Sequence, residues 1–277
     1  MRVPTYALVL GILLILAQCN PVTEPTGSEQ IPVVEGYLFS DESVQQIRLS
    51  LMIPLTASDT IPEPVNDAEV VVKHQGERYP FNLAPGDSGV YRYTGSDFTV
   101  FPGDTFELEV EMNSGNISSK TGVPPAPDSV KVSSDVVYVN SDLSFFELVQ
   151  NLPEPEITWH NPGDRYYYVL VENIEEHPQP IIDSENAPGF NGGPFGGAFS
   201  FRTTPTNGDS YSVDLRGGYY GKHRVTVYSV NRDYVNLYEE REQDSRRLNE
   251  PPSNITNGLG IFTSFSSDST FFWVLEK

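Results

Sequence analysis

Four histidines are the first residues in this chain whose type could bind a metal or move a proton. They are His74, His160, His177 and His223, and no pair has the spacing that puts two ligands on one helix face. The single cysteine, Cys19, excludes a disulfide framework and metal sites built from several cysteines. These residues predict no metal centre and no cofactor, and each histidine is expected at the surface of a strand or loop.

Carboxylates dominate the charge, with 38 Asp and Glu against 17 Lys and Arg and a net charge of −21. This balance excludes a nucleic-acid-binding role, because phosphate binding needs clustered cations. No EF-hand pattern is present, so a calcium ion held between loops is the metal alternative that stays open. A solvated acidic surface is the other interpretation of the loop acids Asp41, Glu42, Asp164, Asp183, Glu185 and Asp209.

Residues 86–89 read GDSG, which resembles the segment around the nucleophilic serine of trypsin-like proteases. The next residue is Val90 rather than glycine, and the nearest preceding histidine, His74, is not in the sequence context of such enzymes. Between two strand-like segments the same residues favour a hairpin turn. The sequence therefore predicts a protein that is not an enzyme, with a hydrolase using a carboxylate pair as the enzymatic alternative.

The amino terminus carries the most specific signal. Residues 7–17 (ALVLGILLILA) are too few for the ~20 apolar residues that span a bilayer but suit the core of a signal peptide. Cys19 follows, and residues 16–19 (LAQC) resemble a bacterial lipobox, with Gln18 in place of the usual small residue. We expect a signal peptide over residues 1–18, lipidation of Cys19, and a flexible tether over residues 19–31. An ordinary secretory signal with an incidental cysteine is the alternative.

Alternating apolar and polar residues dominate from residue 32 onward. The clearest case, at residues 105–111 (TFELEVE), puts Phe106, Leu108 and Val110 on one face of a strand. Turn signals separate many short strands, and prolines 124, 125 and 127 form a stiff hinge. The pattern predicts an all-β protein with two β-sandwich domains in tandem, over residues 32–123 and 124–277.

The second domain is expected to carry one accessory α-helix near residues 231–247. Tyr234, Leu237 and Tyr238 share a helix face there, and Asn231 can cap the helix. The many tyrosines of this half either fill the core or offer exposed contact area.

A loop rich in glycine and phenylalanine, residues 188–199 (PGFNGGPFGGAF), breaks the strand pattern. Binding residues are often found on loops that a rigid sandwich presents. We therefore predict a contact loop with Phe190, Phe195 and Phe199 as its candidate contacts, against the alternative that these rings fold back onto the core.

Several landmarks together resemble one protein family. They are the lipobox, V-V-E-G at 33–36, P-V-x-x-A-x-V at 64–70, P-P-x-P-D-S at 124–129, and P-x-N-I-x-N-G-x-G-x-F at 252–262. This set resembles a domain-of-unknown-function family (4249-type) of Bacteroidota outer-membrane lipoproteins. Residues 64–106 also resemble prealbumin-like or immunoglobulin-like modules, and the strand with Trp159 followed by a Tyr-rich strand resembles a fibronectin type III sandwich.

The family resemblance implies a lipoprotein of the outer membrane that is often encoded beside a TonB-dependent transporter and has no established activity. The predicted function is therefore a lipid-anchored binding or accessory protein that partners such a transporter in nutrient uptake, facing either the periplasm or the cell exterior. The alternative is a structural adhesin or scaffold of the cell envelope with no small ligand.

Overall fold

The computed structural model describes residues 31–40, 42–53, 61–86, 88–182, 200–239 and 252–277. The first half contains β1 (Pro32–Phe39), β2 (Gln46–Leu51), β3 (Glu69–His74), β4 (Glu77–Leu83), β5 (Val90–Arg92), β6 (Thr105–Met112) and β7 (Gly115–Gly122). The second half contains β8 (Asp128–Val132), β9 (Val136–Val139), α1 (Phe145–Asn151), β10 (Glu156–His160), β11 (Tyr166–Asn173), β12 (Ser200–Arg202), β13 (Ser210–Ser212), β14 (Gly221–Val230), α2 (Arg232–Glu239) and β15 (Leu259–Glu276).

The first sandwich is built mainly from β1 to β7. One layer contains β1, β2 and β5, and the other contains β3, β6 and β7, while β4 pairs with β3 through its first residues and with β5 through its last two. The alternation predicted for β6 is confirmed, because Phe106, Leu108 and Val110 are fully buried in the core between the layers. Ile255 and Phe262, from the far end of the chain, complete this core.

The second sandwich has a larger sheet in the order β12-β11-β14-β15-β9 and a smaller sheet in the order β13-β10-β8. Its core contains Trp159 from β10, Tyr167 from β11, Val225 from β14 and Phe272 from β15. The prediction of an all-β fold with two sandwiches is thus confirmed.

One strand, β15, belongs to both sandwiches. Its residues Leu259 to Phe265 pair in parallel with Val33 to Phe39 of β1. From Phe265 onward the same strand pairs with β14 in the antiparallel sense, ending at Val274 opposite Gly221. Phe265 is therefore paired on both sides, and a backbone of 18 residues connects the two cores without a loop.

The segment that enters β15 is held by the side chain of Asn254, which imitates a paired strand residue. Its Oδ1 accepts from the backbone N–H of Phe262 at 2.9 Å, and its Nδ2 donates to the Phe262 carbonyl at 2.8 Å. Asn257 follows in the left-handed region at φ 60°. Gly260, at φ 101°, lies so close to β1 that an added Cβ would be 2.0 Å from the Val34 carbonyl oxygen. The 252–262 motif thus has a structural explanation.

A third cluster of buried residues fills the junction between the sandwiches. Helix α2 packs there on β15, where Tyr234 meets Phe265 edge-on at 4.9 Å between ring centroids. Asn231 precedes the helix, and its amide donates across the junction to Thr121 Oγ1 at 3.1 Å and to the Gly122 carbonyl at 2.9 Å. The buried members of this cluster are Tyr168, Tyr228, Val230, Tyr234, Val235, Ile261 and Phe265.

The helices differ in number from the expectation. The sequence predicts one helix near 231–247, and α2 begins there, while residues 240–247 lie outside the described part. The structure adds α1, which begins at Phe145 after the N-cap residue Ser144, whose backbone N–H donates to the Glu147 carboxylate at 3.2 Å. With seven residues α1 is too short to show a helical period, so only this capping pair could have indicated it. Within the described ranges, neither helix has the length and apolarity that crossing a membrane requires.

Replacing Gly260 with Ala should lower the free energy of unfolding by more than ~3 kcal/mol, because the new methyl group forces β1 and β15 apart in addition to the strain of a positive φ. Gly103 is the matched control, since its φ is 91° but an added Cβ meets nothing within 4 Å. Gly103→Ala should cost only about 1 kcal/mol. Urea denaturation monitored by tryptophan fluorescence measures both values, and equal losses in the two variants would contradict the close-approach explanation.

Candidate functional site

The residues that the sequence singled out for binding fall mostly outside the described part of the chain. Cys19 lies before residue 31, and Phe190, Phe195 and Phe199 lie between residues 182 and 200. Lipidation and the contact loop therefore stay predictions. The loop acids Asp41, Asp183 and Glu185 also lie outside the described residues, whereas the structure places the four histidines and most of the GDSG segment.

Gly86, Ser88 and Gly89 of the GDSG segment lie between β4 and β5, which pair in the antiparallel sense as the predicted hairpin requires, while Asp87 lies outside the described residues. Gly89 has a φ of 64°, and its backbone N–H donates to Asn66 Oδ1 at 2.9 Å. An added Cβ at Gly89 would be 2.1 Å from the Leu49 carbonyl oxygen. The glycine is therefore explained by backbone geometry rather than by a reaction.

The histidines do not come together. His160 and His177 are exposed, and His74 packs on the Phe106 ring with its Nε2 3.6 Å from the Asp104 carboxylate. Among the described residues, no three His, Cys, Asp or Glu side chains are grouped as a metal ion would require.

His223 contradicts the expectation of a surface position, because it is fully buried in the second sandwich. Its ring stacks on Phe272 at 4.9 Å between centroids, and its Nδ1 lies 3.1 Å from the Gly221 carbonyl oxygen. Burial lowers the pKa of His223 to about 4, although the Gly221 carbonyl and the Glu175 carboxylate act in the opposite direction. The ring is thus neutral at pH 7, and Nδ1 donates to the carbonyl.

An exposed apolar surface on the second sandwich is the strongest candidate for a binding site. Eleven large hydrophobic side chains are exposed among the described residues, and five of them lie together on the outer face of the larger sheet. We call this surface the aromatic face. Its members are Tyr138, Ile174, Phe271, Trp273 and Leu275, with Lys222 among them.

Strand alternation produces the aromatic face. On β15, Phe272 and Val274 point into the core, so Phe271, Trp273 and Leu275 must point outward. The neighbouring strand β9 places Tyr138 opposite Leu275. Both faces of this strand end are therefore apolar, which the FFWVL sequence at residues 271–275 already shows. The sequence analysis missed this signal, because it treated the segment only as a closing strand.

A cation lies on the aromatic face. The ammonium group of Lys222 stands 4.5 Å from the centroid of the Phe271 ring and 5.8 Å from that of Trp273. Next to it, Arg224 donates to the Glu172 carboxylate at 2.8 Å. Trp, Tyr, Phe and Arg side chains of this kind are enriched in the energetically important centre of protein interfaces.

For the tyrosines of the second half, the sequence allowed either a buried or an exposed position, and the structure buries most of them in cores. Tyr167 fills the second sandwich, and Tyr168, Tyr228 and Tyr234 fill the junction. On the outer face of the larger sheet, helix α2 covers the aromatic residues nearest the first sandwich. In the described part of the chain, the exposed large hydrophobic side chains of that face lie in its distal part, the aromatic face.

Comparison with known proteins gives one family and a group of solved structures. A family model described as a domain of unknown function (DUF4249) matches residues 20–270. Among curated proteins, none matches this chain.

Solved structures of repeated β domains are similar over most of the chain. The FN1–FN3 domains of chicken CNTN1 are 12% identical with a TM-score of 0.26, covering 87% of this chain and 67% of that one. Domains A168–A170 of titin are 11% identical with a TM-score of 0.24, covering 88% and 67%. A Ca²⁺-stabilized adhesin with which an Antarctic bacterium binds ice is 13% identical with a TM-score of 0.23, covering 89% and 49%.

The buried His223 predicts a pH-dependent stability. Its folded-state pKa lies below the unfolded value of about 6.5, so the unfolded chain binds the extra proton and stability falls as the pH drops from 6.5 towards 4. Between pH 7 and pH 5 the loss should be about 2 kcal/mol. His223→Gln, which cannot titrate, should remove this loss. Urea unfolding at the two pH values measures it, and the same pH dependence in both proteins would refute the assignment to His223.

Proposed function

This chain belongs to the family of the domain of unknown function DUF4249, and from that membership and its exposed aromatic face we propose that it is a lipid-anchored binding protein of the outer membrane. In this proposal Cys19 carries the lipid and residues 19–31 form the tether. The partner is a TonB-dependent transporter that the protein assists in nutrient uptake. The role is non-enzymatic, and no bound cofactor takes part in it.

The aromatic face is the observation that carries the proposal. Isolated exposed hydrophobic residues are normal, but a contiguous apolar patch on a sheet marks an interaction surface. Phe271 and Trp273 are 42% and 41% exposed, so each keeps a large area that a partner can bury. Lys222, held against both rings, adds a donor at the centre of that area.

The position of the face fits a tethered protein. The tether joins β1 at Pro32, and β1 runs parallel to the first half of β15. Trp273 lies thirteen residues beyond Gly260 along β15, which corresponds to roughly 40 Å of strand. The aromatic face is therefore carried away from the point at which the lipid would hold the chain.

The negative charge is consistent with anchoring by lipid alone. A net charge of −21 is repelled by anionic headgroups, so electrostatic attraction does not draw the protein to the membrane. The two or three acyl chains of a lipoprotein supply that affinity.

Affinity purification of the lipidated protein from outer membranes tests the proposal. We expect a TonB-dependent transporter to co-purify, and the double variant Phe271→Thr with Trp273→Thr should recover at most about a tenth of it, since loss of a central aromatic contact costs 2 kcal/mol or more. Phe101→Thr is the matched control, because Phe101 is 61% exposed on the first sandwich, and it should leave recovery unchanged.

The anchor is tested in the same preparation. Cys19→Ser should move the protein from the membrane to the soluble fraction, whereas continued membrane attachment would reject lipidation at Cys19. Undiminished recovery of the transporter by the double variant would reject the aromatic face as the docking surface. Self-association with no transporter in the purified material would favour a structural role instead.

A further inference from the structure

A small cavity lies on the first sandwich, far from the aromatic face. Its volume is about 210 Å³, and it opens on the outer side of β1 and β2. The residues that line it are Glu35, Tyr37, Phe39, Glu42, Gln46, Arg48 and Val90. The lining combines two aromatic rings with two carboxylates and one guanidinium.

The aromatic walls are fixed by the junction core. The Phe39 ring stacks on Phe265 at 4.8 Å between centroids and 17° between planes. The Tyr37 ring meets Tyr234 edge-on at 6.4 Å. Both side chains are half-buried, and both line the cavity. A ligand would find these rings already in position.

The loop that brings Glu42 to the cavity is also fixed. Gln45 is 2% exposed, and its side-chain Oε1 accepts from the Phe39 N–H at 2.9 Å. Its Nε2 donates to the Phe39 carbonyl at 2.8 Å and to the Glu42 carbonyl at 2.7 Å. This buried amide joins β1 to the loop, and it holds the backbone of Glu42 beside the cavity.

The other carboxylate at the cavity, that of Glu35, forms only a weak ion pair. Glu35 lies opposite Arg48 in the register of β1 and β2, with Oε2 3.8 Å from Arg48 Nε. Their side chains are 54% and 57% exposed, so water screens the pair and it contributes little. An incoming cation can therefore compete with Arg48 for Glu35.

We propose that this cavity binds a positively charged nitrogen group, a guanidinium or an alkylammonium. The faces of Tyr37 and Phe39 attract a cation through their ring quadrupoles, and Glu35 and Glu42 supply the opposite charge. The net charge of −21 raises the local concentration of cations at the surface. The group can come from an Arg or Lys side chain of a protein partner or from a free amine. The site is independent of the lipid anchor and of the aromatic face.

Calorimetric titration of the full chain carrying Cys19→Ser tests this proposal. The probes are N-acetyl-arginine amide and N-acetyl-citrulline amide, which have nearly the same shape but differ in charge. The arginine probe should bind and the citrulline probe should not. Glu35→Gln should weaken binding about fivefold, and Arg48→Gln should strengthen it by a similar factor, since each changes one charge beside the ligand.

Glu156→Gln controls for the general loss of negative charge, because Glu156 is exposed on β10 of the other sandwich, and it should leave the affinity unchanged.

A peptide with a central arginine distinguishes the two possible sources of the cation. Tighter binding of the peptide than of the free probe indicates a protein side chain, and equal binding indicates a small amine. Equal binding of citrulline, no binding of either probe, or the same response from Glu35→Gln and Glu156→Gln would overturn the proposal.

Discussion

The pairing of one strand with two sheets is the constraint on which this structure depends. β15 completes the first sandwich beside β1 and then continues as a central strand of the second sandwich. A hinge between the sandwiches would need to break hydrogen bonds on both sides of Phe265. The Asn254 side chain, the close approach at Gly260 and the aromatic cluster beneath α2 all hold this strand in register.

The same strand fixes the relation between the two proposed binding sites. The odd-numbered residues of β15 all point to one continuous face of the twisted sheet, and they include residues 261, 265, 271, 273 and 275. The cavity beside Tyr37 lies near one end of that face, where α2 also packs, and the aromatic face forms the other end. A partner that engages both ends would gain affinity from their fixed spacing, because the second contact would then form at high effective concentration.

Local patterns in the sequence were enough for the type of fold but not for its connections. The alternation of β6 correctly gave its buried face. The alternation of apolar and polar residues cannot say which strands pair with each other. The paired strands β1 and β15 are separated by more than 200 residues of sequence. The filling of the junction by Tyr168 and Tyr228 follows from that pairing, so the sequence left it open. The burial of His223 follows instead from the alternation of β14, where it shares a face with the buried Val225 and Val227. The sequence of residues 271–275 shows that both faces of this strand end are apolar, but whether the outer set is covered depends on what packs against the sheet.

Native-state hydrogen exchange tests the central claim, that β15 joins both sandwiches into one cooperative unit. The informative amides are those of Leu108 on β6 and Ile157 on β10, which are buried in different cores and do not pair with β15. If the claim is correct, both amides exchange through an opening with the same free energy, equal to that of global unfolding. Exchange of one amide through a much lower-energy opening, while the other stays protected, would show that the sandwiches unfold separately and would contradict the claim.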